Sequence, residues 1–401
     1  MVPAAEANRV RVDATGCRGD VLTDGRRRTV TVECIDSSWG FTALRPEWNA
    51  LLRASASDCP FLTWEWLHTW WTHLGGPSRL RIAAVRAGQE LVALAPFRVT
   101  KSRIAFLSRL DMLGTGDAGS DYLDVIVRRG WEAEGLRALT RFARLENATL
   151  RLRHVAATAT ACELADRLKS EGWAASDAPD GVCPYIPLAG HTWDSYLGTL
   201  GSSHRANVRR RIKALGQKFS MRFELVTTEA QRREAMAALV TFHERRYAER
   251  GGSTTFITPA LRAFHDEVTR RALDRGWLRM FVLRVNDTLA AVMYGFMYNR
   301  RFYFYQHGFD DQYQQHSIGL VVMGLSVRAA IDEGADEFDM LWGVEPYKWL
   351  WARETRDLRA IQLFPAHLGG RIHRGAFRAR RRLGSLARRV RTMTRRSPHV
   401  S

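Results

Sequence analysis

Apolar and polar positions recur with strand or helix spacing along most of the chain, and they predict an alternation of strands and helices. Two pairs of apolar runs meet at short turns and predict two hairpins, one of Arg79–Ala87 with Glu90–Thr100 and one of Leu278–Val285 with Thr288–Tyr298. In Ser202–Phe219 the apolar residues are spaced four, three and four positions apart, which predicts a helix with one apolar face. Elements that alternate in this way favour an α/β or α+β fold.

The two predicted hairpins can be superposed in sequence, which indicates an internal duplication. Leu80 falls on Leu278 with an offset of 198 residues (278 − 80), and the same offset places Leu91 on Leu289. In both halves the hairpin is followed by a loop, a helix and a strand. We interpret the chain as a duplicated α/β domain.

Composition divides the chain into four segments. We expect a disordered leader over residues 1–28, two domains at 29–185 and 186–365, and an Arg-rich tail at 366–401. Glycine and proline accumulate in Asp177–His191, which makes that segment the predicted domain junction.

The tail carries much of the net charge. The sequence has 60 Lys and Arg against 42 Asp and Glu, and residues 366–401 hold 11 Arg and no acidic residue. Apolar residues recur in the tail at spacings of four and three, which predicts a basic amphipathic helix suited to an anionic membrane surface or an acidic partner. The alternative is a partly disordered tail that only aids solubility.

The sequence also limits where the protein acts. No apolar run approaches the ~20 residues that span a bilayer, and the five cysteines are scattered without a CxxC pair. These features favour a cytoplasmic protein with reduced thiols, held at the inner membrane face if the tail binds lipid.

Several common catalytic patterns are absent from the sequence. It contains no HExxH zinc motif, no GxSxG elbow and no GxxxxGK[ST] phosphate loop, and we expect no metal. A phosphate site is indicated instead where the strand Phe302–Gly308 leads through a polar loop to a helix that starts at Ser317-Ile318-Gly319, because the first N–H groups of a helix bind anions. The alternative is an ordinary strand–loop–helix unit.

Polar side chains concentrate in and after the predicted strand Glu337–Trp342. Asp339, Glu345, Tyr347 and Lys348 lie at the end of that strand, where open α/β sheets bind ligands. A carboxylate there could take a proton from an amine, Tyr347 could return one to a thiolate, and Lys348 could hold negative charge. The alternative is a surface loop packed on aromatic residues.

Two further segments carry candidate contacts. The loop Gly114–Tyr122 is either a substrate contact through Asp121 and Tyr122 or a connecting loop. The helix Ser202–Phe219 carries several basic side chains, Arg205 among them, which form either a solvated face or a wall for a phosphorylated ligand or tRNA.

In this order the motifs resemble a known family. They are Phe61–Leu67, Gly116–Asp124, Ser202-x-x-Arg205-x-x-x-Arg209-Arg210, Gly308–Gly319 and Phe338–Lys348. The chain resembles, over roughly residues 30–365, the GNAT-superfamily acyltransferases of the CelD-like, BioF2-like acetyltransferase family, which are similar in turn to the FemABX peptidyltransferases. The resemblance implies an α/β (α+β) fold of two tandem GNAT-like domains, each a mixed, largely antiparallel sheet flanked by helices.

The resemblance also implies roles for particular residues. It assigns catalysis to Lys348, Asp339 and Tyr347, and the donor's pyrophosphate to His316, Ser317, Ile318 and Gly319. The residues expected to contact substrate are Asp121, Tyr122, Arg205, His307 and Glu345. The pyrophosphate loop is one residue longer than the usual GNAT pattern and has Leu320 where a small residue is expected, which leaves room for another donor.

We therefore expect an acyltransferase that moves an acyl group from acyl-CoA, such as acetyl-CoA, to an amine or hydroxyl. CoA is expected as a co-substrate and not as a permanently bound cofactor, and the acceptor as a cell-envelope, polysaccharide or small-molecule compound. One alternative is an aminoacyl-tRNA-dependent ligase of the Fem type. Another is a non-catalytic scaffold that binds membranes or acidic partners through residues 366–401.

Overall fold

The computed structural model describes residues 29–101, 108–248 and 256–379. The predicted leader (1–28) and the second part of the predicted tail (380–401) lie outside the described residues.

The described residues form strands and helices that alternate along both halves of the chain. The strands are β1 (Thr31–Ile35), β2 (Arg79–Ala87), β3 (Glu90–Lys101), β4 (Ser108–Met112), β5 (Ile126–Val127), β6 (Thr149–Ala156), β7 (Ala174–Pro187), β8 (Met221–Leu225), β9 (Leu278–Val285), β10 (Thr288–Tyr298), β11 (Arg301–Phe309), β12 (Glu337–Asp339) and β13 (Glu354–Phe364). The helices are α1 (Ser38–Ala43), α2 (Arg45–Arg53), α3 (Trp64–Leu74), α4 (Glu132–Glu146), α5 (Thr160–Ser170), α6 (Trp193–Thr199), α7 (Ser202–Lys218), α8 (Glu229–Ala248), α9 (Pro259–Asp274), α10 (Ile318–Asp332) and α11 (Lys348–Trp351).

Both predicted hairpins are confirmed, because β2 pairs with β3 and β9 with β10 in antiparallel register. The segment Asp177–His191, the predicted domain junction, is occupied largely by β7. That strand is polar and mostly half-exposed, so it lacks the buried apolar runs of the hairpin strands. Its extended backbone is held by pairing with β13 on one edge and β12 on the other, which are distant in sequence.

One sheet runs through both halves of the molecule. Its strand order is β1-β2-β3-β4-β6-β13-β7-β12-β11-β10-β9-β8, with β5 paired to β3 off this path. The pairs β4–β6 and β11–β12 are parallel, and the others along the path are antiparallel. The order reads the same from either end when each half is numbered separately, so the predicted mixed, largely antiparallel tandem fold is confirmed.

The two halves exchange their last strands. The strand β7 of the first half pairs with β12 of the second, while β13 of the second half pairs with β6 of the first. At the centre β7 and β13 pair with each other over their whole length. Each half is therefore completed by a strand of the other.

Aromatic side chains join the two halves on the helical side as well. Trp66 of α3 is buried and packs edge-on against Phe264 of α9, with ring centroids 5.1 Å apart. Trp66 also meets Phe296 and Tyr305 of the second half edge-on. The aromatic-dense segment that predicted a helix in the first half thus forms the main contact with the second.

The first part of the predicted tail is helical over residues 368–379. His373, not the predicted apolar stripe, is its buried side chain, and it hydrogen-bonds Thr149 through Nδ1 at 2.6 Å. Ile372 is 54% exposed. No helix in the described part of the chain is both long enough and apolar enough to cross a membrane.

Candidate active site

The parallel strands β11 and β12 part after three residue pairs. Arg301, Phe302 and Tyr303 pair with Glu337, Phe338 and Asp339, after which β12 ends and β11 continues to Phe309. A cavity of about 740 Å³ lies where they part. The second half lines it with Phe242, His243, Phe304–Gly308, Met340–Trp342 and Glu345–Lys348, and the first half with Gly116, Asp117, Gly119, Asp121 and His154.

The Lys348 side chain forms part of one wall of the cavity. It is buried, and its Nζ donates to the carbonyl oxygens of Trp342 at 2.8 Å and Leu341 at 3.2 Å. The same ammonium forms an ion pair with Glu345 at 3.1 Å, and the Lys348 N–H donates to the Glu345 carbonyl. These contacts close residues 341–348 into a tight loop with a positive charge at the cavity.

Asp121 and Lys348 both form hydrogen bonds with the backbone of Trp342. Oδ2 of Asp121 accepts a hydrogen bond from the Trp342 N–H at 2.8 Å, so one residue binds both the carboxyl and the ammonium. Burial raises the pKa of Asp121 to about 7, and the negative charge of Asp339 adds to this shift while Lys348 opposes it. The cavity therefore contains a carboxyl group that changes charge near neutral pH.

Asp339 lies behind the cavity wall. Its Oδ2 accepts from the Tyr122 hydroxyl at 2.6 Å and its Oδ1 from the Leu341 N–H at 2.8 Å, and Arg356 approaches at 3.3 Å. Burial raises its pKa to about 6, against the opposing hydrogen bond from Tyr122. In this arrangement Asp339 and Tyr122 support the loops of the cavity, and Tyr122 adopts the left-handed conformation (φ 57°).

His307 and Tyr347 form the aromatic part of the cavity. Their rings meet edge-on with centroids 5.8 Å apart, and both residues line the cavity beside Glu345. The His307 carbonyl accepts a hydrogen bond from Nε2 of His243 at 3.1 Å, which ties β11 to α8. The structure thus brings together Asp121, His307, Glu345, Tyr347 and Lys348.

The residues expected to bind pyrophosphate lie next to this cavity at the start of α10. A short 3-10 helix (Asp311–His316) leads to Ser317, which is left-handed (φ 56°), and α10 begins at Ile318. Gly319 faces the Phe309 ring, where a Cβ would lie 3.0 Å from the nearest ring carbon. The Phe309 ring also stacks on the His307 ring, with centroids 6.2 Å apart. It therefore lies between the start of α10 and the cavity.

Arg205 does not line the cavity. It lies on α7, where its Nη1 donates to the Gly198 carbonyl at 3.2 Å. The helix itself runs alongside the site, since His204 packs edge-on against Trp351 and Phe219, just past its end, packs against His316.

Two polar residues around the site escaped sequence reasoning. His154 lies inside a predicted strand and Asp180 inside the predicted junction, so no local pattern singled them out. They reach the cavity region only because β6 and β7 both pair with β13, which is distant in sequence.

Residues 202–349 match the family model described as the acetyltransferase (GNAT) domain. This segment contains α8, β11, α10 and β12, and with them every residue of the second half that lines the cavity. The acetyltransferase (GNAT) domain over residues 202–349 confirms the predicted GNAT-type acyltransferase class. The narrower likeness to the CelD-like, BioF2-like family stays a prediction.

Solved structures share the fold over most of the chain. The crystal structure of FemX has a TM-score of 0.57 and 11% identity, covering 79% of this chain and 95% of that one. A conserved protein of unknown function from Bacteroides thetaiotaomicron has a TM-score of 0.53 and 14% identity, covering 82% of this chain and 98% of that one. At these identities the likeness is one of fold. No curated protein matches the chain in sequence.

Proposed function

We propose that the chain transfers an acyl group from acyl-CoA to an amine or hydroxyl of a cell-envelope, polysaccharide or small-molecule acceptor. The observation that carries this proposal is the cavity where β11 and β12 part, with a buried ammonium and a carboxyl that titrates near neutral pH on its walls. Acyl transfer needs both a group that takes up a proton and a positive charge near the developing oxyanion.

The donor would enter from the side of β11 and α10. The thioester would lie along the edge of β11 beyond Tyr303, which β12 leaves unpaired. The pyrophosphate would lie at the N-terminus of α10, where first-turn N–H groups point out of the helix. Gly319 packs against the Phe309 ring, which holds this first turn of α10 next to β11.

The acceptor would enter from the side of the first half, past Asp117 and Asp121. Direct attack of its amine or hydroxyl on the thioester carbon would place negative charge on the carbonyl oxygen. Lys348 would stabilise that charge, and Tyr347 would supply a proton to the leaving thiolate.

Aminoacyl-tRNA is the second candidate donor, and one observation favours it. The helix α7 runs alongside the site from α11 to the loop before α10, and Arg209, Arg210 and Lys213 lie on it. Exposed cations of this kind bind phosphate backbones with a strong dependence on salt.

The free energy of unfolding, measured with and without CoA compounds, distinguishes the two candidate donors, acyl-CoA and aminoacyl-tRNA. Acetyl-CoA, longer acyl-CoAs and free CoA are each added to the wild type and to Gly319→Asp, and unfolding is followed in urea. A donor at 100 times its Kd stabilises the fold by about 2.7 kcal/mol. We expect this gain in the wild type and its loss in Gly319→Asp. The control is Gly216→Asp on α7, where a Cβ meets only a methionine side chain at 3.9 Å.

Absence of any gain with every CoA species would overturn the acyl-CoA proposal. Binding of aminoacyl-tRNA that weakens steeply with salt, and that Arg209→Ala together with Arg210→Ala abolishes, would then identify the second donor.

A further inference from the structure

His154 lies at a distortion of β6 beside the cavity. On either side of it, Val155 pairs with Arg359 and Leu152 with Ile361, so two residues of β6 stand opposite one residue of β13. His154 is left-handed there (φ 55°). A β-bulge with a residue other than glycine in this conformation is costly, and such bulges occur where a side chain is turned toward a functional site.

Hydrogen bonds on both sides maintain the bulge. The His154 N–H donates to Oδ2 of Asp180 at 2.8 Å, and Arg153 binds the same carboxylate. The His154 carbonyl accepts from the Leu123 N–H at 3.1 Å. The carboxylate of Asp180 on β7 therefore holds the backbone of β6, across the exchange of strands between the halves.

The bulge turns the imidazole into the cavity, beside two carboxyl groups. His154 lines the cavity and its side chain is 17% exposed. Its Nδ1 is buried, has no hydrogen-bond partner among the described residues, and lies 3.8 Å from an oxygen of Asp121 and from one of Asp180. A small rotation would allow Nδ1–H to donate to either carboxylate, which leaves Nε2 to accept a proton.

Burial makes the neutral imidazole the resting form. It lowers the pKa of His154 below the ordinary value of 6.5, with help from the positive charge of Arg153 and against the negative charge of Asp180. The charged groups that face the ring are Asp121 from the loop before β5, Asp180 from β7 and Arg153 from β6 itself. A neutral imidazole beside carboxyl groups is suited to receive a proton.

We propose that His154 is the general base of the transfer reaction, with its Nδ1–H oriented by Asp121 and Asp180. As the acceptor's nitrogen or oxygen bonds to the acyl carbon, its proton passes to Nε2. The carbon–sulfur bond then breaks with its electron pair on sulfur, and the leaving thiolate is protonated from Tyr347 or from the imidazolium. This inference rests on the proposed function. The balance is the same for an ester donor, in which a carbon–oxygen bond breaks.

The test uses His154→Asn and His154→Gly in the full-length protein. Both residues tolerate a left-handed backbone, so the bulge is kept while the imidazole is lost. Transfer from acyl-CoA to a panel of amines and amino sugars is followed by release of free thiol. The control is His191→Asn, which removes an imidazole that bonds Ser195 outside the cavity.

We expect His154→Asn to lower kcat by about 10²–10⁴-fold, with the acidic limb of the pH profile lost. Added imidazole should restore activity to His154→Gly in proportion to its concentration and leave the wild type unchanged. A kcat for His154→Asn within threefold of the wild type, or a loss of activity in His154→Gly that imidazole does not rescue, would overturn the role of His154 but not the proposed function. A wild type that transfers from no donor would overturn the proposed function as well.

Discussion

At the residue scale, the chemistry of the cavity depends on two ionisable side chains that the sequence places far apart. Asp121 accepts from the N–H of Trp342, and Lys348 donates to the carbonyl of the same residue. The position of each group therefore depends on the other through the backbone of one residue. A substitution of Asp121 or of Lys348 is therefore expected to displace Trp342 and to shift the other side chain.

Lys348→Met tests the role of the ammonium. Methionine keeps the length and apolar stem of lysine but leaves the carbonyls of Leu341 and Trp342 without their donor. We expect the free energy of unfolding to fall by about 1–3 kcal/mol and kcat to fall by about 10²–10³-fold. The measurements are urea denaturation and thiol release.

Glu345→Gln is the matched control for that variant. The Glu345 side chain is 51% exposed, so its ion pair with Lys348 is expected to contribute less than about 1 kcal/mol. A transfer rate in Lys348→Met equal to that of Glu345→Gln would contradict the role given to the ammonium.

The raised pKa of Asp121 makes stability depend on pH. Burial raises it from 3.8 to about 7, so the folded protein keeps a proton that the unfolded chain releases. The contribution to stability is therefore complete below pH 3.8 and is lost as the pH rises through about 7. The pKa of Asp339 is shifted in the same direction, to about 6.

Asp121→Asn removes this titration and keeps an oxygen that can accept from the Trp342 N–H. Urea denaturation from pH 5 to 8 should show the wild type losing stability, by at most about 1.4 kcal/mol per pH unit for each group, and the variant losing less. Asp117→Asn, which removes an exposed carboxyl from the same cavity, is the control. Equal slopes in wild type and Asp121→Asn would show that Asp121 does not titrate in this range.

The sequence predicted part of this site. Polar residues after a strand pointed to Glu345, Tyr347 and Lys348, the loop Gly114–Tyr122 pointed to Asp121, and a family resemblance added His307. The structure gathers these five around one cavity, although their roles stay predictions. His154 and Asp180 could not be predicted, because their position at the cavity depends on a bulge that forms only when β6 pairs with β13.

At the element scale, what could be predicted depended on how local the stabilising contacts are. The hairpins β2–β3 and β9–β10 were predicted nearly to the residue, since a short turn between two apolar runs specifies them. The strands β7 and β13 were not, because each is held by a strand of the other half. His154 is held at the cavity by these two strands, because β6 pairs with β13 and the His154 N–H donates to Asp180 of β7.

Gly181 on β7 tests how this exchange positions the cavity. It is left-handed (φ 110°), and a Cβ there would collide with the Trp342 indole, whose Nε1 donates to the Asp180 carbonyl. We expect Gly181→Ala to displace Trp342 and to lower both stability and the rate of transfer. The measurements are thermal unfolding and thiol release.

Gly172→Ala is a matched control for this substitution. Gly172 is also left-handed (φ 88°), but a Cβ there would meet nothing within 4 Å. Both variants bear a similar conformational cost of roughly 1–2 kcal/mol, so any further loss in Gly181→Ala measures the contact with Trp342. Equal losses in the two variants would contradict the role given to this contact.

At the scale of the whole molecule, the two halves that the repeated hairpins indicated form one structural unit. Each half supplies the strand that completes the other, and α3 packs against α9 across the junction. A cavity lies where the parallel strands of the second half part, and the first half contributes Asp121 and His154 to it. In the proposed function the second half forms the donor side of the site and the first half the acceptor side.

Hydrogen–deuterium exchange over the whole chain, with and without saturating acetyl-CoA, tests this account most directly. The account predicts slower exchange at residues 304–308 of β11, at 316–320 around the start of α10 and at 340–348 around Lys348. Slower exchange confined to other parts of the molecule, or no change with acetyl-CoA or any longer acyl-CoA, would contradict the claim that the acyl donor binds where β11 and β12 part.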